Sequence, residues 1–172
     1  MQTHTGFGAS YRQHKKKGRG YSHWHPGYAW AARRDAIDSV GGLIDWAILG
    51  SADHHMAIGL IGGLDDDYVT PTSRLSRSYY TQLKTWQDRA VSSLGRDIGY
   101  VPGTILHYWH GKKKDRRYGD RWQILERHAY CPLTDIKRDW QGLYKLSGNK
   151  NKMRDDIRDY FRSRNEDSID LV

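Results

Sequence analysis

Cysteine, proline and phenylalanine are scarce: the 172 residues hold one, four and two of them. With Cys131 alone no internal disulfide can form, so the fold has to rest on packing, and the default compartment is the reducing cytosol. Long apolar runs are missing too. Stretches such as Met56–Ile61 fall far short of the roughly 20 residues a membrane span needs, so no transmembrane helix is expected. The opening Met1–Gly6 has neither the basic nor the apolar region of a secretory signal.

Two stretches lack charge of one sign. Residues 1–34 contain no Asp or Glu but seven Lys and Arg, and residues 35–67 contain no Lys or Arg but seven Asp. The overall balance of 28 basic against 20 acidic residues, a net +8, is thus unevenly spread. A uniform nucleic-acid grip would not carry such an acidic centre, whereas carboxylates interspersed with histidine suit proton transfer or a cation. Twelve Tyr and seven Trp against two Phe give most aromatic rings a polar end. Such rings suit wet surfaces that stack sugars or bases, and equally a core whose polar tips reach the rim.

The length suits a single domain over residues 26–172, preceded by a basic, loop-rich segment over 1–25. Periodicity predicts a short helix from Tyr28 to Val40 and a second over Ala52–Ile61, capped by Ser51 and broken by Gly62-Gly63. The clearest helix runs from about Ser73 to Leu94, with Leu75, Tyr79, Leu83, Trp86, Ala90 and Leu94 as its apolar stripe. Ile98–Val101 and Thr104–Trp109 read as strands separated by Pro102-Gly103. Helices over about Asp120–His128 and Lys150–Arg162 follow, the last burying Met153, Ile157, Tyr160 and Phe161. The fold class is therefore mixed α/β, with short strands and several packed helices.

Four groups could carry chemistry. Gly41-Gly42 lets the backbone approach a ligand closely, and the stretch from Leu43 leads through Trp46 and Gly50 to Asp53, His54 and His55. Asp53 in the first turn of a helix could be held ionised as a base, or could merely stabilise that helix end. His107 and His110 point to opposite faces of a strand; His110, beside Gly111, is the better placed of the two as a metal ligand. Arg116-Arg117-Tyr118-Gly119-Asp120-Arg121 could fork around a phosphate or form a solvated turn. Asp65-Asp66-Asp67 reads as an exposed acidic loop.

Taken in order, Pro26–Ala31 with Arg33-Arg34, then Gly41-Gly42-Leu43, then Leu49–Asp53, then the strand ending at His110 with Tyr118 and Arg121 beyond it, resemble the acceptor side of GT-A fold glycosyltransferases. The galactosyltransferase and family-2-like enzymes of phages and bacteria are the nearest likeness, over about Pro26–Arg127. The resemblance implies a partial GT-A-like fold and transfer of a hexose from a nucleotide sugar to a hydroxyl of a glycan or other acceptor. It implies Asp53 as general base and Mn²⁺ or Mg²⁺ at His110, with His107 as the second candidate. Trp46, His54 and His55 fall where acceptor contacts would lie, and Gly41, Gly42, Gly50, Trp109, Tyr118 and Arg121 fall at substrate-binding positions. The family's acidic pair is reduced to Ala52-Asp53. Its nucleotide-binding half would precede these motifs, so a separate N-terminal half is an expected partner and this chain corresponds to the C-terminal one. Two other readings compete: a basic nucleic-acid-binding protein, and a metal-dependent nuclease using the His and Asp clusters.

Overall fold

The computed structural model describes residues 4–14, 25–65, 75–107 and 114–164. The elements run α1 (Phe7–His14), α2 (Arg34–Ser39), α3 (Ala52–Ile61), α4 (Arg77–Leu94), α5 (Trp122–Arg127), β1 (Ile136–Arg138), β2 (Tyr144–Leu146) and α6 (Asn151–Ser163). This is a mixture of helices with one small sheet, an antiparallel pair in which Ile136 faces Leu146, Lys137 faces Lys145 and Arg138 faces Tyr144. No helix among the described residues is long and apolar enough to cross a membrane. The chain divides into two compact units, the first formed by Met1–Ser73 with Thr81–Ile105, the second by Arg74–Tyr80 with Leu106–Val172.

In the first unit, α3 lies against α4. Of the apolar positions that the spacing of α3 suggests, Met56, Ala57, Leu60 and Ile61, only Ala57 is fully buried, together with His55, Ile58 and Gly59. The reason is Gly59: a Cβ there would stand 2.9 Å from the Trp86 ring, so the missing side chain lets the two helices approach closely. Of the expected α4 stripe, Tyr79, Leu83, Trp86 and Ala90 are buried, whereas Leu75 precedes the helix and Leu94 is half-buried. Gly62, at φ 74°, ends α3 as expected, its left-handed conformation freeing the chain to turn. Ser51 does not cap α3. It is itself left-handed (φ 66°), with no side-chain cap hydrogen bond.

Three further expectations are corrected here. The N-terminal segment is not wholly loop, because Phe7–His14 is helical and buries Phe7 and Tyr11. The helix expected from Tyr28 is confined to Arg34–Ser39; Tyr28 itself has φ 81°, which no right-handed helix accepts. The strands expected over 98–101 and 104–109 are absent through residue 107, beyond which residues 108 and 109 lie outside the described residues. Val101, Ile105 and Leu106 are exposed, and a strand without a neighbour to take its N–H and C=O groups has nothing to hold it extended.

The second unit packs Tyr79, Ile124, Leu125, Tyr130, Met153 and Tyr160. Tyr79 meets Trp122 and Tyr130 edge-on, with ring centres 6.4 and 6.0 Å apart, a favoured geometry for aromatic quadrupoles. Helix α6 buries Met153 and Tyr160 as its spacing predicts, but Phe161, expected inside, is 48% exposed and lies under the Arg164 guanidinium. The hairpin β1–β2 is held from beneath by Asp135. This buried carboxylate accepts hydrogen bonds from the Cys131 N–H, Asn149 Nδ2 and Lys150 Nζ at 2.7–2.8 Å. Burial opposes its ionisation, but those donors outweigh burial and hold its pKa below the usual carboxylate range.

Candidate functional site

Asp53 is the first carboxylate of α3 and is half-buried. One of its oxygens, Oδ1, accepts the His54 N–H at 2.9 Å, which fixes the rotamer. The other, Oδ2, faces Gly27: a Cβ on residue 27 would lie 3.2 Å from it and 3.1 Å from His25 Cε1. The carboxylate and the imidazole thus both crowd the point where a Gly27 side chain would begin.

The loop bearing that glycine is tightly held. The His25 N–H donates to the Thr5 carbonyl and the Phe7 N–H to the His25 carbonyl, at 3.2 and 3.0 Å. The Gly27 N–H donates to His25 Nδ1 at 3.2 Å, so in the neutral imidazole the proton resides on Nε2. Trp30 Nε1 closes the turn onto the Pro26 carbonyl at 2.7 Å, and its ring stacks beside Phe7. The Tyr28 ring stacks on His25 with centres 4.4 Å apart and planes 20° from parallel, while 47% of Tyr28 stays exposed. Tyr28 and Ser51 both carry positive φ, a conformation that costs a non-glycine residue roughly 1–3 kcal/mol. Both flank the Gly27–Asp53 approach.

The remaining expected contacts of the first unit separate. His54 is half-buried beside Asp53, whereas His55 is fully enclosed, and burial first, then the neighbouring His54, pushes its pKa down to about 3. A neutral imidazole with no exposed surface is a core residue rather than an acceptor contact. Trp46 is half-buried and Gly50 is exposed with φ 92°. Gly41 and Gly42 serve α4: the Trp86 Nε1–H donates to the Gly42 carbonyl at 2.8 Å, and the Arg89 guanidinium occupies the space a Gly41 side chain would need. A shallow concavity of about 310 Å³ lies elsewhere in this unit, along Gly62, Asp65, Lys84, Gln87, Asp88 and Arg96. Lys84 bridges Asp65 and Asp88 there, at 3.3 and 2.9 Å, so its charges are matched internally. Of the triple aspartate only Asp65 is described, and it is exposed as expected.

In the second unit the basic turn is ordered around Tyr118. Arg116 Nη1 donates to the Tyr118 hydroxyl at 2.9 Å, and the Arg121 guanidinium lies 4.9 Å above the same ring. Arg117 is paired with Asp120. The Tyr160 hydroxyl donates to the Arg116 carbonyl and fixes the turn to α6. Two guanidiniums on one half-exposed phenol form a cationic surface of the kind that receives phosphate oxygens. His107 is exposed; Trp109 and His110 lie outside the described residues.

The sequence singles out Asp53 as a candidate, but not the His25, Gly27 and Tyr28 that surround it. The Pro26-Gly27 pair was a signal for a special turn there. Among the described residues no group of three or more His, Cys, Asp or Glu side chains is arranged to hold a metal ion. No family model matches the chain, and neither a curated protein nor a solved structure matches it.

Proposed function

We infer that the chain is the acceptor-side part of a glycosyltransferase, moving a hexose from a nucleotide sugar to a hydroxyl, with Asp53 as the general base. One observation supports this reading: Pro26–Ala31, which resembles the entry before the Gly-Gly motif, and Leu49–Asp53, which resembles the acceptor-side motif, meet where Asp53 Oδ2 lies beside Gly27 and His25. With Oδ1 tied to the His54 N–H, Oδ2 is the oxygen that takes the proton. As the acceptor oxygen bonds to the anomeric carbon, the bond to the diphosphate breaks. The acceptor proton passes to Asp53, and the electron pair leaves on the nucleoside diphosphate. The divalent ion implied by the resemblance finds no donor set among the described residues, so no step is assigned to it. A nucleotide-binding N-terminal half completes the enzyme in this reading.

The test is Asp53→Asn in the presence of the donor and that half. The amide still accepts the His54 N–H, so unfolding midpoints should stay put while transfer drops by roughly 10²–10⁴, the usual contribution of a positioned base. Undiminished turnover would dismiss Asp53 as the base.

A second reading has one observation behind it. Trp140 is 90% exposed at the hairpin tip, and Lys137 and Lys145 sit directly opposite each other on it, an arrangement that repels unless an anion intervenes. Nucleic-acid binding that weakens steeply with salt and is lost in Trp140→Ala would favour it.

A further inference from the structure

We propose that the β1–β2 hairpin of the second unit is a contact for single-stranded nucleic acid, with an unpaired base stacked on Trp140 and one phosphate held between Lys137 and Lys145. This deepens the nucleic-acid reading and rests on it, adding the strandedness of the partner and the task of each side chain. It is independent of the chemistry at Asp53.

The turn is built to hold its tip. The Asp139 N–H donates to the Leu143 carbonyl at 2.8 Å, and the Gly142 N–H donates to the Asp139 carbonyl at 3.0 Å. The Asp139 carboxylate takes the Gln141 and Leu143 N–H groups at 2.9 and 3.0 Å, and Arg138 Nη1 donates to the Gly142 carbonyl at 2.6 Å. These bonds fix residues 139–143, yet the indole they carry is 90% exposed. A rigid turn that holds a large aromatic ring out in water offers a flat partner a face at little ordering cost.

The charge beside the tip has one sign. Ile136 is buried and its partner Leu146 half-buried, so the next pair, Lys137 opposite Lys145, alternates to the outer side, and both lysines are exposed. Cβ atoms of directly opposed residues stand about 4.5–5.5 Å apart, where like charges repel unless an anion lies between them. Asp139 is the only acidic residue from 136 to 149, and the turn occupies its carboxylate. The hairpin therefore supplies no counter-charge for the lysine pair, and a phosphate does.

Single-strandedness follows from Trp140. In a duplex the base faces are covered by their neighbours, whereas a single strand presents faces that stack on an aromatic ring whatever the sequence. A lipid surface suits the tip less. Asp139-Trp140-Gln141-Gly142 carries one large apolar side chain among polar neighbours, too little apolar surface to bury at a headgroup boundary.

Fluorescence anisotropy on the full chain tests this, with an oligo(dT) of about 20 nucleotides and a DNA duplex of the same length as probes, and phosphatidylserine vesicles in a parallel co-sedimentation. Oligo(dT) should bind more tightly than the duplex at about 50 mM salt and weaken as salt rises. Trp140→Ala should weaken it about tenfold and Trp140→Phe much less, with unfolding midpoints unchanged because the indole is exposed. Lys137→Ala combined with Lys145→Ala should lower the slope of log K against log salt by about 0.7, the worth of one phosphate on a single strand. Twice that loss would give each lysine its own phosphate and overturn the shared site. Duplex binding as tight as oligo(dT), or oligo(dT) binding that neither Trp140→Ala nor the lysine pair alters, would overturn the proposal and leave the nucleic-acid reading standing. Binding of neither nucleic acid would end both, and vesicle binding lost in Trp140→Ala would then assign the tip to a lipid surface.

Discussion

The indole of Trp86 donates to the Gly42 carbonyl at 2.8 Å while the edge of its ring closes against Gly59. A single α4 side chain therefore fixes both the glycine pair and the distance of approach of α3, the helix that carries Asp53.

That double role makes Gly59 intolerant. Gly59→Ala places a methyl 2.9 Å from two ring carbons of Trp86, and the overpacking should cost about 1–3 kcal/mol. Trp86→Phe relieves the crowding but loses the bond to Gly42, worth about 1 kcal/mol, and leaves a smaller ring in the core. Urea midpoints of the two variants and their combination give the coupling; strict additivity would mean the ring and residue 59 do not touch.

Acid should loosen the first unit through His55. Its pKa is about 3 when folded against a usual 6.5, so between those values the unfolded chain binds a proton that the folded one refuses. The His55 contribution is intact above about pH 6.5. Below that it falls by up to about 1.4 kcal/mol per pH unit towards pH 3. Unfolding midpoints from pH 7 to 4.5 should show that slope, and His55→Gln should flatten it; a parallel slope in the variant would move the effect elsewhere.

Asp135 and Lys150 form the corresponding node of the second unit. Breaking a buried pair by removing one partner strands the other, so Lys150→Met should cost about 3–5 kcal/mol and Asp135→Asn a comparable amount. Because the Asp135 pKa is depressed, this contribution is complete above about pH 4, the unfolded aspartate range, and fades as pH falls below it. Thermal melts of the single and double variants measure the coupling, and a double variant as costly as the sum of the singles would argue against a paired node.

Arg116 and Arg121 converge on Tyr118, and Arg117 does not. In the transferase reading UDP binding should therefore weaken about tenfold or more in Arg116→Ala and Arg121→Ala, each losing a charged hydrogen bond of about 1.5–3 kcal/mol. Arg117→Ala should change it little. Calorimetric titration with UDP at two salt concentrations tests this, and equal losses for all three would reduce the effect to bulk charge.

The elements that could be read from the chain are those whose side chains repeat on a helical period. The Leu83–Trp86–Ala90 stripe of α4 and the Met153–Tyr160 face of α6 are clear instances. Helix α1 was hidden because Gly8, a poor helix former, sits in it for a tertiary reason: its Cβ would lie 2.6 Å from the Gly99 carbonyl oxygen. The hairpin was hidden because its strands have three residues each, too few for an alternation. Its turn is made by Asp139, whose carboxylate accepts the Gln141 and Leu143 N–H groups. At the site, Asp53 was legible as an acid opening a helix. The His25–Tyr28 stack was not, since it depends on a tyrosine with positive φ, a conformation no local preference of tyrosine announces.

The partners of Asp135 lie 4, 14 and 15 residues away in the chain. Such short loops cost little entropy to close. The hub can thus assemble from local encounters, before any contact that spans the sequence, which makes the section from Cys131 to α6 a natural starting point for folding of the second unit. Order there begins around a charge rather than around a ring.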